Sequence, residues 1–215
     1  MTTIVLVRHG ETEWNRSDRF RGRYDVPLND AGFSQAKASA ERIREEFSPR
    51  AVYSRPLSRA MTTAHIIADL CALPVRTHPG LVDIDYGEWQ GLSVDEVNQR
   101  WPDLSTAWRQ KPETAAIPGG ESLSLVRERA LEAVRELARR HDGETIVMVS
   151  HTVVNRLILL GVLGAGNDRF WRLRQDTCAI NLIFAEGPEY TLALLNDTGH
   201  LRGGRGNPSE KREAG

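Results

Sequence analysis

Four side chains stand where this sequence can do chemistry. Arg8 and His9 follow the apolar run Ile4-Val5-Leu6-Val7 and open the polar stretch Gly10-Glu11-Thr12-Glu13-Trp14-Asn15. They mark the end of a strand, the place at which open α/β sheets bind ligands, and a histidine there is exposed enough to react. Arg59 comes a few residues after the run 51–54, in the first turns of a helix opened by Pro56. His151 ends the run 145–150, so it also marks a strand-to-helix junction, where unpaired backbone N–H groups favour anions. An isolated histidine would most simply cap a strand. Two arginines and two histidines on one sheet edge instead suit a phosphoryl group, because guanidinium forks match its oxygens and a neutral imidazole can attack phosphorus. Phosphoryl transfer needs mainly positioning and charge stabilisation, which Arg8, Arg59 and a protonated His151 supply without a metal or other cofactor.

The elements that position these residues alternate. Strand-like runs at 3–7, 51–54, 75–78 and 145–150 are mostly separated by helical patterns. One helix starts at Asp30 as N-cap, with Phe33, Ala36, Ala40, Ile43 and Phe47 inward, and a second carries Leu57, Met61, Ala64, Ile67 and Cys71. A third runs from about Glu121, with Leu123, Val126, Ala130, Val134 and Leu137 inward, and a fourth follows His151. The alternating Arg and Glu residues between 127 and 140 predict an ion-paired, solvated helix face. Residues 179–185 and 190–195 flank Glu186-Gly187-Pro188-Glu189 and read as a late antiparallel hairpin. The stretch 86–120, with Trp89, Trp101 and Trp108, interrupts the rhythm as an excursion over the sheet's carboxyl edge, its aromatics packing a lid onto the core. The expected fold is α/β, a three-layer α/β/α sandwich with a mostly parallel central sheet, an antiparallel edge strand and a small lid. One domain spans 1–201, and 202–215 reads as a disordered tail with almost nothing to bury.

Composition narrows the partners. Lys plus Arg (28) nearly balances Asp plus Glu (29), so no global field argues for nucleic acid. No aliphatic run is long enough to span a bilayer, and the short N-terminal run lacks a signal peptide's basic start, so a cytoplasmic protein without membrane contact is expected. Cys71 and Cys178 sit in apolar surroundings as buried free thiols, and no Cys/His cluster has metal-ligand spacing. The expected partner is a small phosphorylated metabolite, with a homodimer left open.

Taken in order, these motifs resemble those of the histidine phosphatase superfamily, which includes the cofactor-dependent phosphoglycerate mutases. Its Arg-His-Gly motif appears as Arg8-His9-Gly10, and the resemblance implies His9 as the nucleophile. Asn15 and the loop Arg21-Gly22-Arg23-Tyr24-Asp25-Val26-Pro27-Leu28 resemble the family's early substrate-binding segment, with Arg21 where many relatives have Gln. Tyr53-Ser54-Arg55-Pro56-Leu57-Ser58-Arg59-Ala60 resembles the second arginine motif, and Pro118-Gly119-Gly120-Glu121-Ser122 and Val149-Ser150-His151 match the later ones. The family often has a Glu proton donor four residues before a Gly-x-Trp-x-Gly motif, which here is Gly87-Glu88-Trp89-Gln90-Gly91. That puts Asp83 in the donor's place, with Asp85 and Glu88 as rivals. Thr152 replaces the family's usual Gly after the second His, either to touch substrate or to cap the helix. The short excursion favours a phosphatase over a mutase. Ser150-His151-Thr152-Val153, Phe170-Trp171 and Leu195-Asn196-Asp197-Thr198-Gly199-His200-Leu201 are similar to the metal-independent phosphoserine phosphatases, which implies that His200 meets a substrate carboxylate. Those enzymes have a His where Tyr86 stands. An α-ribazole phosphatase-like or broad phosphomonoester activity, a phosphoglycerate mutase, and a phosphate-binding module without turnover are the alternatives.

Overall fold

Alternate residues of β1 (Thr2–Arg8) point to opposite faces, Ile4 and Leu6 into one buried cluster and Val5 and Val7 into the other. A strand apolar on both faces has to be covered on both, which is what βαβ crossovers do. The computed structural model describes residues 1–201, so the tail expected at 202–215 lies outside the described residues. After β1 come α1 (Glu13–Arg16), α2 (Asp30–Phe47), β2 (Ala51–Ser54), α3 (Ser58–Leu70), β3 (Val75–Thr77), α4 (Val94–Arg100) and α5 (Pro102–Gln110). Then follow α6 (Leu123–Arg140), β4 (Thr145–Ser150), α7 (Thr152–Val162), β5 (Ile180–Glu186) and β6 (Glu189–Asp197).

The sheet has the order β3-β2-β4-β1-β5-β6. β1, β2, β3 and β4 are parallel, and the β5–β6 hairpin extends the sheet antiparallel beyond β1. Ala40 and Ile43 of α2 and Ala60, Ala64, Ile67 and Ala68 of α3 cover one face. α6 and α7 cover the other through Val126, Ala130, Val134, Leu157 and Ile158. The register pairs Arg8 with Ser150, so the residues that follow them, His9 and His151, leave the sheet side by side.

The excursion is helical, as α4 and α5 with single 310 turns at Gly87–Trp89 and Pro112–Thr114. Its Trp89 and Trp108 are buried and pack with Phe20 and Phe170, while Trp101 lies at their edge.

Several boundaries differ from the expected ones. Asn29, not Asp30, caps α2, its side chain accepting from Gly32 N–H. The buried stripe of α2 runs through Gly32, Ala36, Ser39, Ala40 and Ile43, which turns Phe33 outward at 43% exposure. α3 begins two residues after Pro56, because Arg55 O accepts from Leu57 N–H in a tight turn first. Cys71 follows the end of α3 and is partly exposed, since Ala72 adopts a left-handed φ of 55° that turns the chain away.

Candidate active site

His9 hangs directly off β1, its backbone N–H donating to Ser150 O at 3.0 Å. Its ring centroid lies 5.2 Å from that of His151. His9 Nδ1 is 2.7 Å from Gly10 O, and only a protonated Nδ1 can make that bond. The tautomer so fixed leaves a lone pair on Nε2, the nitrogen that can attack. Contrary to expectation the ring is not exposed; it is 1% accessible. Burial, and then the nearby charges of Arg59, His151, Arg8 and Arg21, hold its pKa well below the usual histidine value. His9 is thus a neutral imidazole at neutral pH. The loop beneath it is clamped by close backbone contact, since a Cβ on Gly10 would stand 2.5 Å from Gly32 O. Gly10 N–H also donates to Thr63 Oγ1 at 3.1 Å.

Arg8 is fully buried and donates through NH1 to Gln175 O. Arg59, also fully buried, donates to Tyr24 O and Gly22 O, each at 2.8 Å, and to Asp83 Oδ2 at 2.9 Å. Gly22 has a φ of +50°, and a Cβ there would stand 2.6 Å from Gln90 Oε1, so only glycine brings this loop so close. Arg21 is buried rather than a solvated loop residue, and its charge acts on His9, His151 and Asp83. Asn15 accepts from Thr12 N–H through Oδ1, while its buried Nδ2 has no hydrogen-bond partner among the described residues.

Asp83 lies within 3.4 Å of His151 Nδ1 and accepts from Ile84 N–H through Oδ1. Burial pushes its carboxyl up, but His151, Arg59, Arg21 and the Ile84 N–H together outweigh burial and hold it below the usual carboxylate range. Its two rivals sit elsewhere. Asp85 pairs with Arg23 at 3.2 Å and accepts from Gly87 N–H, and Glu88 is exposed. His151 was expected to be protonated. In this site burial pushes it down to about 3, with Arg59 and Arg21 adding to the effect and Asp83 opposing it.

These shifts carry a stability consequence. His9 and His151 have folded pKa values below the ordinary histidine value, so as pH falls through that value the unfolded chain takes up protons that the fold refuses. Stability is complete above the unfolded pKa and declines as pH drops toward about 3, where His151 protonates in the fold. In urea unfolding the slope is expected to approach about 1.4 kcal/mol per pH unit for each buried histidine, and His151→Gln to remove one share. A variant slope equal to that of the wild type between pH ~6 and ~4.5 contradicts this.

The profile of the histidine phosphatase superfamily (branch 1) matches residues 4–198. The chain belongs to this superfamily. Among curated relatives it is 35% identical over 201 residues to "Phosphoserine phosphatase 1" of Hydrogenobacter thermophilus, covering 94% of this chain and 95% of that one. It is also 35% identical to a "Metal-independent phosphoserine phosphatase" of Arabidopsis thaliana, covering 94% and 84%. Among solved structures, YhfR of Bacillus stearothermophilus superposes with a TM-score of 0.89 at 32% identity, over 94% of this chain and 100% of that one. An Entamoeba histolytica phosphoserine phosphatase variant in complex with phosphoserine gives 0.84 at 27% identity, over 94% and 100%.

Within this histidine phosphatase, two further residues named from the sequence are placed as follows. His200 stands against α2, its Nε2 2.9 Å from Ser39 Oγ and its Nδ1 3.4 Å from Arg42 NH1. Thr152 is the first residue of α7 and does not cap it; its buried Oγ1 has no hydrogen-bond partner among the described residues. Arg129 had been read as part of a solvated face, yet it donates to Gly80 O, Val82 O and Asp83 O and pairs with Glu121 at 3.1 Å. Glu121 Oε2 in turn accepts from Asp85 N–H at 2.9 Å. This clamp holds the loop that presents Asp83. No sequence signal separates Arg129 from its ion-paired neighbours.

Proposed function

We propose that this chain is a metal-independent phosphomonoester hydrolase that works through a phosphohistidine on His9, with phosphoserine the first substrate to try. The observation that carries the reading is the neutral His9 ring, its Nδ1 engaged by Gly10 O, among buried Arg8, Arg59 and Arg21. His9 Nε2 attacks phosphorus; the P–O bond to the alcohol breaks, and the leaving oxygen takes a proton from Asp83. Water then attacks the phosphohistidine, gives its proton back to Asp83 and releases phosphate. Asp83 is anionic among these cations, but a bound phosphoryl group adds negative charge beside it and offsets the cations that depress its pKa. The proton enters with the substrate, since a phosphomonoester has its second pKa near ~6. His151, which burial keeps neutral, gains stability as a cation from the same negative charge. A reducing compartment such as the cytoplasm suits the two free cysteines.

Among the described residues, no group of three or more His, Cys, Asp or Glu side chains is disposed to hold a metal ion, and no helix is long and apolar enough to cross a membrane. Since the arginines already supply the positive charge, hydrolysis is expected to persist in excess chelator. Activity lost on chelation and restored by Mg²⁺ argues against the mechanism. A panel of phosphomonoesters, run with and without a bisphosphoglycerate, tests the function itself: release of inorganic phosphate independent of bisphosphoglycerate is the expected result, and bisphosphoglycerate-dependent isomerisation identifies a mutase.

A further inference from the structure

A proton donor works only where its backbone is held, and the backbone that leads to Asp83 is held by side chains. The 310 turn Pro79–Leu81 lies against the backbone of α6, where a Cβ on Gly80 would stand 2.5 Å from Arg129 O. That approach puts the guanidinium of Arg129 alongside the turn. Its NH1 donates to Gly80 O at 3.1 Å and to Val82 O at 2.7 Å, and its NH2 donates to Asp83 O at 3.2 Å and to Glu121 Oε2 at 3.1 Å. Nε donates to Glu121 Oε1 at 3.1 Å, so all five N–H groups of the side chain are employed. Leu81 O, the one carbonyl of the series that Arg129 passes over, accepts from Ser150 Oγ at 2.9 Å. Four successive carbonyls, from residue 80 to residue 83, therefore end on two side chains.

Both side chains are anchored apart from the loop they hold. Ser150 ends β4, pairs in register with Arg8 and accepts His9 N–H through its carbonyl, so its hydroxyl ties the loop to the strand ends that carry both histidines. Glu121 fixes Arg129 from the other side through a two-pronged pair. Glu121 Oε2 also accepts from Asp85 N–H at 2.9 Å, Glu121 N–H donates to Asp85 O at 2.8 Å, and the carboxylate lies 3.3 Å from Arg23, beside Gly22. The Asp83 carboxyl itself accepts from Arg59 and from Ile84 N–H. Arginine is needed at position 129 for its shape. A lysine carries the same charge, but its single nitrogen has three donors and cannot span three carbonyls and a carboxylate. An arginine that only stabilised the fold could end on any loop carbonyl; this one ends on the acid's own and on two of the three before it.

We propose that Arg129 and Ser150 are positioning residues for general acid catalysis, setting the backbone of Asp83 so that its carboxyl reaches the leaving oxygen. The proposal rests on the hydrolase reading with Asp83 as the acid and extends it to two side chains that act through Asp83. Arg129→Lys keeps the charge that acts on His151 and removes the fork. In single-turnover phosphorylation of His9 by phosphoserine, it is expected to slow the step by about 10- to 100-fold, the cost of a small misplacement. With nitrophenyl phosphate, whose leaving group needs no proton, the loss is expected to be no more than about threefold. Ser150→Ala is expected to shift the ratio of the two rates in the same direction by a smaller factor. In an Asp83→Asn background neither substitution is expected to alter that ratio, because no proton is left to misplace. A general loss of packing, by contrast, slows both esters and persists in that background. A ratio that both variants leave unchanged, or a selective loss that survives Asp83→Asn, overturns the positioning role while Asp83→Asn alone still reports the acid. Where Arg129→Lys does not fold, Ser150→Ala decides by the same comparison. A wild type that transfers no phosphoryl group, or an Asp83→Asn that slows both esters equally, overturns the reading beneath the proposal and the proposal with it.

Discussion

Replacing His9 with alanine is expected to lower turnover of every phosphomonoester by about 10⁴-fold or more, as loss of a covalent nucleophile does elsewhere. Water can still reach a phosphoryl group bound by Arg8 and Arg59, but the two-step route is gone. The fold is expected to survive. His9 is buried, yet its side chain contributes one hydrogen bond, to Gly10 O, while the loop keeps its contacts to Gly32 and Thr63. The substitution also removes a group that the fold forces to stay neutral. Stability is therefore expected to change by no more than about 1–2 kcal/mol, measured by urea unfolding. A second readout is covalent. Wild-type protein mixed with labelled substrate and quenched in alkali is expected to retain label on the protein, and His9→Ala is not. Substantial steady-state activity in His9→Ala, or label retained at an equal level, removes His9 as the nucleophile.

The residues legible in the sequence are those whose place depends on their own strand. Arg8, His9, Ser150 and His151 end apolar runs, and two parallel strands in register necessarily bring such ends together. Arg59 is similar, because a short turn after β2 leaves little choice about which edge its helix starts from. Contacts between elements are a different matter. Periodicity tells which face of a helix is apolar, but Arg129 lies beside that face and bonds to a loop more than forty residues away in sequence. Phe33 fails for a related reason. The register of α2 is set by the close approach of Gly32 to Glu11, a backbone contact that apolar spacing does not reveal. The contacts of His200 with Ser39 and Arg42 on α2 are likewise between elements far apart in sequence, and motif matching does not report them. The protonation of His151 depends on burial by the whole molecule, which residue type alone does not report.

Asp83→Asn is expected to separate substrates by their leaving groups. The carboxyl is bonded to Arg59 at 2.9 Å, lies 3.4 Å from His151 and is presented by a loop that Arg129 clamps. Asn keeps the size and a hydrogen bond to Ile84 N–H, but it cannot pass a proton to the leaving oxygen. Phosphorylation of His9 is then expected to slow by about 10²- to 10⁴-fold for aliphatic alcohols such as serine, whose alkoxides are poor leaving groups. For nitrophenyl phosphate the loss is expected to be much smaller, because nitrophenolate departs without a proton. Two further effects are common to both esters. Removing a carboxylate frees Arg59 to bind the phosphoryl oxygens, which lowers KM, and it removes the base that activates water in the second step. Single-turnover measurements of the first step therefore isolate the acid role. Equal slowing for both leaving groups sinks the assignment, because a group that merely positions Arg59 affects the two esters alike. A selective loss in Glu88→Gln instead moves the acid to the exposed 310 turn and requires that turn to close over the substrate.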